Sequence, residues 1–196
     1  ALRPKPPGKR PTTTSQEPNP EMYSELDRLS QSDTFTNSVP LSDQKENQAY
    51  RQELVLRFFL QRSYQGKDSE LRIEYGEYLT DWLRHIAVRA DWGTEIDASV
   101  FKACFGAIEH ALGEDAFRRF DGDRHLGPFS ISGYEFITSG LAANIDRWQG
   151  RPQALRAKIE AVWSAPEFRE NSGTGVSPRR RVPRLILRAR TFFAQD

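Results

Sequence analysis

Cysteine is almost absent from this sequence, which has only Cys104 among its 196 residues. A single thiol excludes an intrachain disulfide and any zinc site built from several cysteines. Its rarity also fits a reducing compartment. Histidine is nearly as scarce. His85 and His110 fall in helical patterns with no second histidine or cysteine at i+3 or i+4, so neither forms a two-ligand helical metal motif.

Long apolar runs and glycine-rich phosphate loops are also missing. No stretch approaches the roughly 20 apolar residues that cross a bilayer, and the basic start of the chain lacks the apolar region of a secretory signal. The sequence contains neither G-x-x-x-x-G-K-[ST] nor G-x-G-x-x-G. We therefore expect a cytoplasmic protein with no membrane partner. Because the chain begins with Ala1 and its only methionine is Met22, we expect a processed product or a piece of a longer protein.

Proline is concentrated at the N-terminus, where residues 1–20 hold six of the twelve prolines. Such a stretch buries too little apolar surface to offset its ordering entropy. We therefore predict three regions: a flexible, basic, proline-rich linker over 1–20, a short helix and loop over 21–44, and a helical domain over 45–196.

Apolar residues recur at helical spacing through most of the chain. The clearest helix contains Phe101, Cys104 and Ile108, with Asp97 as its predicted N-cap and Gly113 just beyond its end. The alternation of period two that is typical of strands is nearly absent. The sequence predicts a single all-α bundle of about five to seven helices.

Two prolines help to place helix starts. Pro152 suits a first helical turn, and we expect the last helix to start near Pro183 and to run to Phe193.

The stretch "EDAFRRFDGDRHLG" raises the question of a metal site. Asp121, Asp123 and His125 could serve a metal hydrolase, but Arg124 falls where a calcium loop needs an oxygen ligand. Aspartate and glycine are also ordinary turn residues. We predict a corner between two helices with Phe117 in the core, and the hydrolase remains an alternative.

The strongest charge feature is a run of arginines near the C-terminus with no acidic residue between them. Guanidinium groups match the geometry of phosphates, so contact with the nucleic-acid backbone is one interpretation. An acidic protein partner is the other. The six arginines are Arg179, Arg180, Arg181, Arg184, Arg188 and Arg190.

Three stretches, in order, resemble a known family. They are "QELVLRFFLQRSY", then "YLTDWLR" with "FGAIEHALGEDAFRRF", and finally "SGTGVSPRRRVPRLILRARTFF". Together they cover about residues 45–194. They resemble the helical C-terminal part of the domain found at the N-terminus of GmrSD-type, modification-dependent restriction endonucleases and related phage-defence proteins.

The resemblance implies a parent protein with a ParB-like domain ahead of this chain. In the family that domain carries a D-G-Q-Q-R motif associated with nucleotide binding and hydrolysis, so the parent would use an NTP and a divalent metal. A His-Asn-His nuclease domain or subunit often follows. This chain has neither part, so we expect it to have no catalytic residue, metal or cofactor of its own.

The resemblance also implies roles for individual residues. Those expected to orient the upstream domain are Glu53, Arg57, Phe117 and Arg118, while Phe58 matches the family pattern structurally. From the arginine run itself, the residues expected to contact DNA phosphates are Arg179, Arg180, Arg181, Arg184 and Arg188, of which Arg181 and Arg184 also match the family's closing element structurally.

Overall fold

Helices account for most of the residues that the computed structural model describes, which are 17–41, 49–66, 71–173 and 175–196. The helices are α1 (Pro20–Ser30), α2 (Asp33–Ser38), α3 (Tyr50–Ser63), α4 (Tyr75–Ala87), α5 (Trp92–Glu95), α6 (Ala98–Ala111), α7 (Ile131–Ala143), α8 (Ile145–Trp148), α9 (Pro152–Val162), α10 (Pro166–Ser172) and α11 (Pro178–Phe193). Seven of them have eleven residues or more, which confirms the predicted all-α bundle. In these ranges, no helix combines the length and the apolar character needed to cross a membrane.

The predicted linker over 1–20 falls mainly outside the described residues. Within the part that is described, Asn19 caps α1 by accepting hydrogen bonds from the backbone N–H groups of Glu21 and Met22. The Asn19 N–H donates to the carbonyl of Ala87 at 2.7 Å. The chain is therefore attached to the end of α4 just before α1 begins.

Aromatic rings form the centre of the main core. Phe58 of α3, Phe35 of α2 and two phenylalanines of α6, Phe101 and Phe105, are all at most 1% exposed. Their ring centroids lie 4.5–6.0 Å apart, the range in which aromatic pairs attract. The apolar faces predicted for α3 and α6 are thus buried against each other, with Asp97 and Gly113 marking the ends of α6 as expected.

The last helix, α11, packs most extensively against α7. Gly140 permits this close approach, because a Cβ atom at that position would lie 2.7 Å from the Ala189 carbonyl oxygen and 2.3 Å from the Phe193 ring. The indole N–H of Trp148 donates to the Phe193 carbonyl at 2.9 Å. The C-terminal end of α11 is therefore fixed to the bundle by both packing and a hydrogen bond.

The start of α11 differs from the sequence prediction. The helix begins at Pro178, and Pro183 lies inside it. Proline has no N–H to donate to the residue four positions earlier, here Arg179, and its ring disfavours an interior helical position. The Arg179 carbonyl instead accepts a hydrogen bond from the Leu71 N–H at 3.1 Å. This long-range partner satisfies the carbonyl that Pro183 leaves unpaired, so the helix continues through the proline.

Candidate functional site

A buried charged cluster joins four helices. Glu135 of α7 is fully buried, and its two carboxylate oxygens accept from Arg57 of α3 at 2.7 Å and from Arg181 of α11 at 2.9 Å. Glu53 lies 2.7 Å from Arg57 across one turn of α3, at the i,i+4 spacing at which helical side chains meet. The Arg57 guanidinium also lies over the ring of Tyr75, 4.6 Å from its centroid. We call these five residues the Glu135 cluster.

Opposing effects set the charges in the Glu135 cluster. Burial raises the pKa of Glu135, and the guanidinium groups of Arg181 and Arg57 oppose that shift. Burial tends to lower the pKa of Arg57, but the carboxylates of Glu135 and Glu53 help to hold it above its ordinary value. Because each carboxylate oxygen of Glu135 already has a cationic partner, the cluster functions as a connection between helices.

Arg181 and Arg190 lie on the side of α11 that faces the bundle. The Arg181 side chain is 12% exposed and pairs with Glu135. Arg190 donates to the carbonyls of Gln61 and Arg62 at 2.8 and 3.1 Å, and burial lowers its pKa. A guanidinium at these last carbonyls of α3 also complements the negative end of the helix dipole. We call Arg181 and Arg190 the inward arginines.

Arg180, Arg184 and Arg188 lie on the exposed side of the same helix. Their spacing of four residues places them in one row, about 12 Å long at 1.5 Å per residue. Arg188 forms an exposed ion pair with Glu170 at 2.9 Å, whereas Arg184 forms no ion pair with any described residue. We call these three residues the outward arginines.

This division changes one sequence-based grouping. The sequence placed Arg181 with the arginines expected to contact DNA, but the structure places its side chain against a buried carboxylate. A buried carboxylate is costly without a cationic partner, so the Arg181 side chain is committed to the fold. Arg179, in the first turn of α11, is half-buried.

The stretch from Phe117 to Gly127 forms a corner between α6 and α7. Phe117 is fully buried, as predicted. The chain then forms a short antiparallel hairpin, in which strand β1 (Arg119–Phe120) pairs with strand β2 (His125–Leu126). Arg118 closes the corner by donating to the Gly127 carbonyl at 2.9 Å and to Asp115 at 2.8 Å.

Asp121 of this hairpin is bound by the hairpin's own backbone. One carboxylate oxygen of Asp121 accepts from the N–H groups of Asp123 and Arg124, both at 2.9 Å. These hydrogen bonds lower the pKa of Asp121. Gly122 adopts a φ of +108°, which glycine tolerates and other residues rarely adopt. These contacts describe turn chemistry, in agreement with the predicted corner.

The His125 ring contacts other residues and not these aspartates. Its ring lies 4.9 Å from that of Phe120, and its Nε2 lies 3.3 Å from a Glu160 carboxylate oxygen. Within the described ranges, no group of three or more histidine, cysteine, aspartate or glutamate side chains could hold a metal ion. The structure therefore offers the metal-hydrolase alternative no ligand set there.

Cys104 and three of the residues expected to orient a partner domain make their contacts inside this chain. Cys104 is fully buried in α6, and burial raises the pKa of its thiol, which disfavours the reactive thiolate. Glu53, Arg57 and Arg118 all bond to other parts of this chain, although the Glu53 side chain is 41% exposed.

Comparison with known proteins found no match among family models, curated proteins or solved structures. The resemblance to GmrSD-type proteins thus stays a prediction that rests on the three sequence stretches.

Proposed function

We propose that this chain is the non-catalytic helical subdomain of an NTP-dependent, DNA-targeting restriction or phage-defence protein. It would support an upstream ParB-like domain and present the outward arginines to the DNA backbone. The observation that carries the proposal is the exposed row of Arg180, Arg184 and Arg188 on a helix that the inward arginines hold in place.

A fixed row of guanidinium groups suits backbone contact. Each guanidinium can donate two parallel hydrogen bonds to one phosphate, and releasing counterions from DNA makes such binding favourable at low salt. Since Arg181 pairs with Glu135 and Arg190 binds the end of α3, α11 has little freedom to turn its exposed face inward. Contacts of this kind give affinity and orientation, and sequence recognition would come from another part of the parent protein.

A specific observation favours a second function, binding to an acidic protein surface. Leu187 lies in the same exposed face as Arg184 and Arg188 and is 44% exposed. An exposed leucine beside arginines fits the mixed composition of a protein interface better than that of a DNA-binding surface. On this hypothesis, α11 would dock an acidic partner or the upstream domain itself.

The test of DNA binding compares two double variants of the chain. Arg180→Ala/Arg184→Ala removes two outward arginines, and Arg84→Ala/Arg156→Ala removes two exposed arginines elsewhere with the same change in charge. Binding to duplex DNA is measured by fluorescence anisotropy over a series of salt concentrations. We expect the slope of log K against log salt to fall by about 0.9 per lost phosphate contact in the first variant and to change little in the second. Equal slopes in wild type and both variants would refute the DNA role.

A separate measurement addresses the protein-partner function. Leu187→Ser should leave DNA affinity nearly unchanged, because leucine makes no phosphate contact. If the same change abolishes a nuclease-resistant complex with a defined acidic partner or with the upstream domain, the protein-interface hypothesis is favoured over DNA binding.

A further inference from the structure

A cavity that is open to solvent lies beside the start of α7. It has a volume of about 720 Å³, which is within the usual range of ligand pockets. The hairpin and the segment that follows it form one side, while the end of α9 and α10 form the other. The cavity is separate from the outward arginines, none of which lines it.

The charged groups at this cavity are of one sign. Arg119 of β1 and Arg169 of α10 line it and are both exposed, and neither forms an ion pair with a described residue. No aspartate or glutamate is among the described residues that line it. Two guanidinium groups without a counterion favour an anion at this surface.

Neutral donors add to this preference. Ser130 and Ser132 line the cavity. Their hydroxyl oxygens lie 3.3 Å apart, and Ser130 Oγ also accepts from the Gly133 N–H, so one of the two hydroxyl protons is left for a ligand. The first backbone N–H groups of a helix have no acceptor within that helix, so the amides of Ile131 and Ser132 are available at the same edge.

Apolar surface completes the cavity. Phe129, Ile131 and Phe168 line it together with Trp163. Phe129 is half-buried, so part of its ring remains available to a ligand. A free inorganic anion would use the arginines but not this surface, whereas a molecule with both a phosphate and a flat ring would use both.

We infer that this cavity binds a small phosphate monoester that carries an aromatic ring, of the class to which nucleoside monophosphates belong. Arg119 and Arg169 hold the phosphate, a serine hydroxyl donates to it, and the ring packs against Phe129 and Trp163. The inference does not depend on DNA binding by α11, since the two sites share no residue.

Calorimetric titration of the whole chain tests the inference with four probes: AMP, phenyl phosphate, inorganic phosphate and adenosine. We expect one-to-one binding of AMP and phenyl phosphate with a Kd of about 1 mM or tighter, and weaker binding of the other two. Arg119→Ala/Arg169→Ala should weaken the binding of AMP at least about tenfold, because two charge-assisted contacts are lost. Arg124→Ala is the matched control, since Arg124 is an exposed arginine of the same hairpin that does not line the cavity.

Three results would overturn the inference. The first is an absence of saturable binding by both AMP and phenyl phosphate to the folded wild type. The second is binding that survives unchanged in Arg119→Ala/Arg169→Ala. The third is inorganic phosphate binding as tightly as phenyl phosphate, because the aromatic half of the site would then contribute nothing. Both arginines are exposed, so their replacement should preserve the fold, and a circular dichroism melt of each variant verifies this.

Discussion

The two faces of α11 carry the same residue type in opposite environments. Arg181, on the inward face, pairs with a fully buried carboxylate, while Arg184, three residues later, is exposed and forms no ion pair with a described residue. Removing one partner of a buried ion pair leaves an uncompensated charge in a medium that solvates it poorly. Removing an exposed arginine leaves nothing behind that water cannot solvate. The same substitution should therefore test the fold on one face and binding on the other.

The largest expected effect is on stability when Glu135 is removed. Glu135→Ala leaves Arg181 buried without its counterion and removes one of the two carboxylates bound to Arg57, so we expect a loss of about 3–5 kcal/mol in the free energy of unfolding. Urea denaturation measures it. Glu170→Ala is the control, because that carboxylate is 64% exposed and pairs with outward Arg188; a change within about 0.5 kcal/mol is expected. Similar losses in the two variants would contradict the proposed difference between the inward and outward faces of α11.

A second substitution tests whether the inward face depends on close approach to α7. Gly140→Ala introduces a Cβ atom 2.7 Å from a backbone oxygen of α11, and overpacking of this kind costs about 1–3 kcal/mol. Thermal and urea unfolding report the loss.

The matched control for this substitution is Gly106→Ala, in the interior of α6. No atom lies within 4 Å of the added methyl group there, so a gain of about 0.5–1 kcal/mol is expected from helix propensity. A destabilisation by Gly106→Ala as large as that by Gly140→Ala would show that helix contact is not the cause.

A smaller loss of stability is expected at the N-cap of α6. It provides a comparison with a contact that does not involve α11. Asp97 accepts from the backbone N–H of Ser99 at 3.0 Å, and Asp97→Ala should cost about 1 kcal/mol. The Ser99 hydroxyl is the main cause that lowers the pKa of Asp97 below its ordinary value of 3.8. The unfolded chain binds a proton at the Asp97 carboxyl more readily than the folded chain does. The stabilisation that the charged carboxylate adds to the free energy of unfolding is therefore complete above pH 3.8 and is lost as the pH falls through the lowered pKa.

The pH dependence of the stability difference checks this explanation. The difference in the free energy of unfolding between wild type and Asp97→Ala should narrow below pH 3.8. Asp97→Asn keeps the cap without the titrating group, so its stability should show less pH dependence in that range. A difference in the free energy of unfolding that stays constant as the pH falls below 3.8 would argue against a charged cap.

Periodicity and local signals predicted much of the fold from the sequence. The spacing of Phe101, Cys104 and Ile108 predicted the buried face of α6, and Asp97 and Gly113 marked its ends. Such signals work because the helical repeat, the cap and the turn each depend on residues close together in the chain. The turn formed by Asp121 and Gly122 was predictable for the same reason.

Contacts between distant segments were not predictable in this way. Pro183 indicated a helix start, but the Leu71 N–H satisfies the Arg179 carbonyl and allows the helix to continue. Glu135 gave no signal as a buried acid, because its partners come from α3 and α11.

A finer use of spacing would have separated the arginines. Arg181 precedes the buried Leu185 and Ala189 by four and eight residues, whereas Arg180 precedes the exposed Arg184 and Arg188 by the same steps.

The most direct test of the account is the free energy of unfolding of Arg181→Ala measured beside that of Arg184→Ala. We predict a loss of about 1.5–3 kcal/mol for Arg181→Ala, because Glu135 loses one charged hydrogen-bond partner and keeps Arg57. We predict a change within about 0.5 kcal/mol for Arg184→Ala. Equal losses in the two variants, or a larger loss for Arg184→Ala, would contradict the division of α11 into an inward face that holds the fold and an exposed outward face.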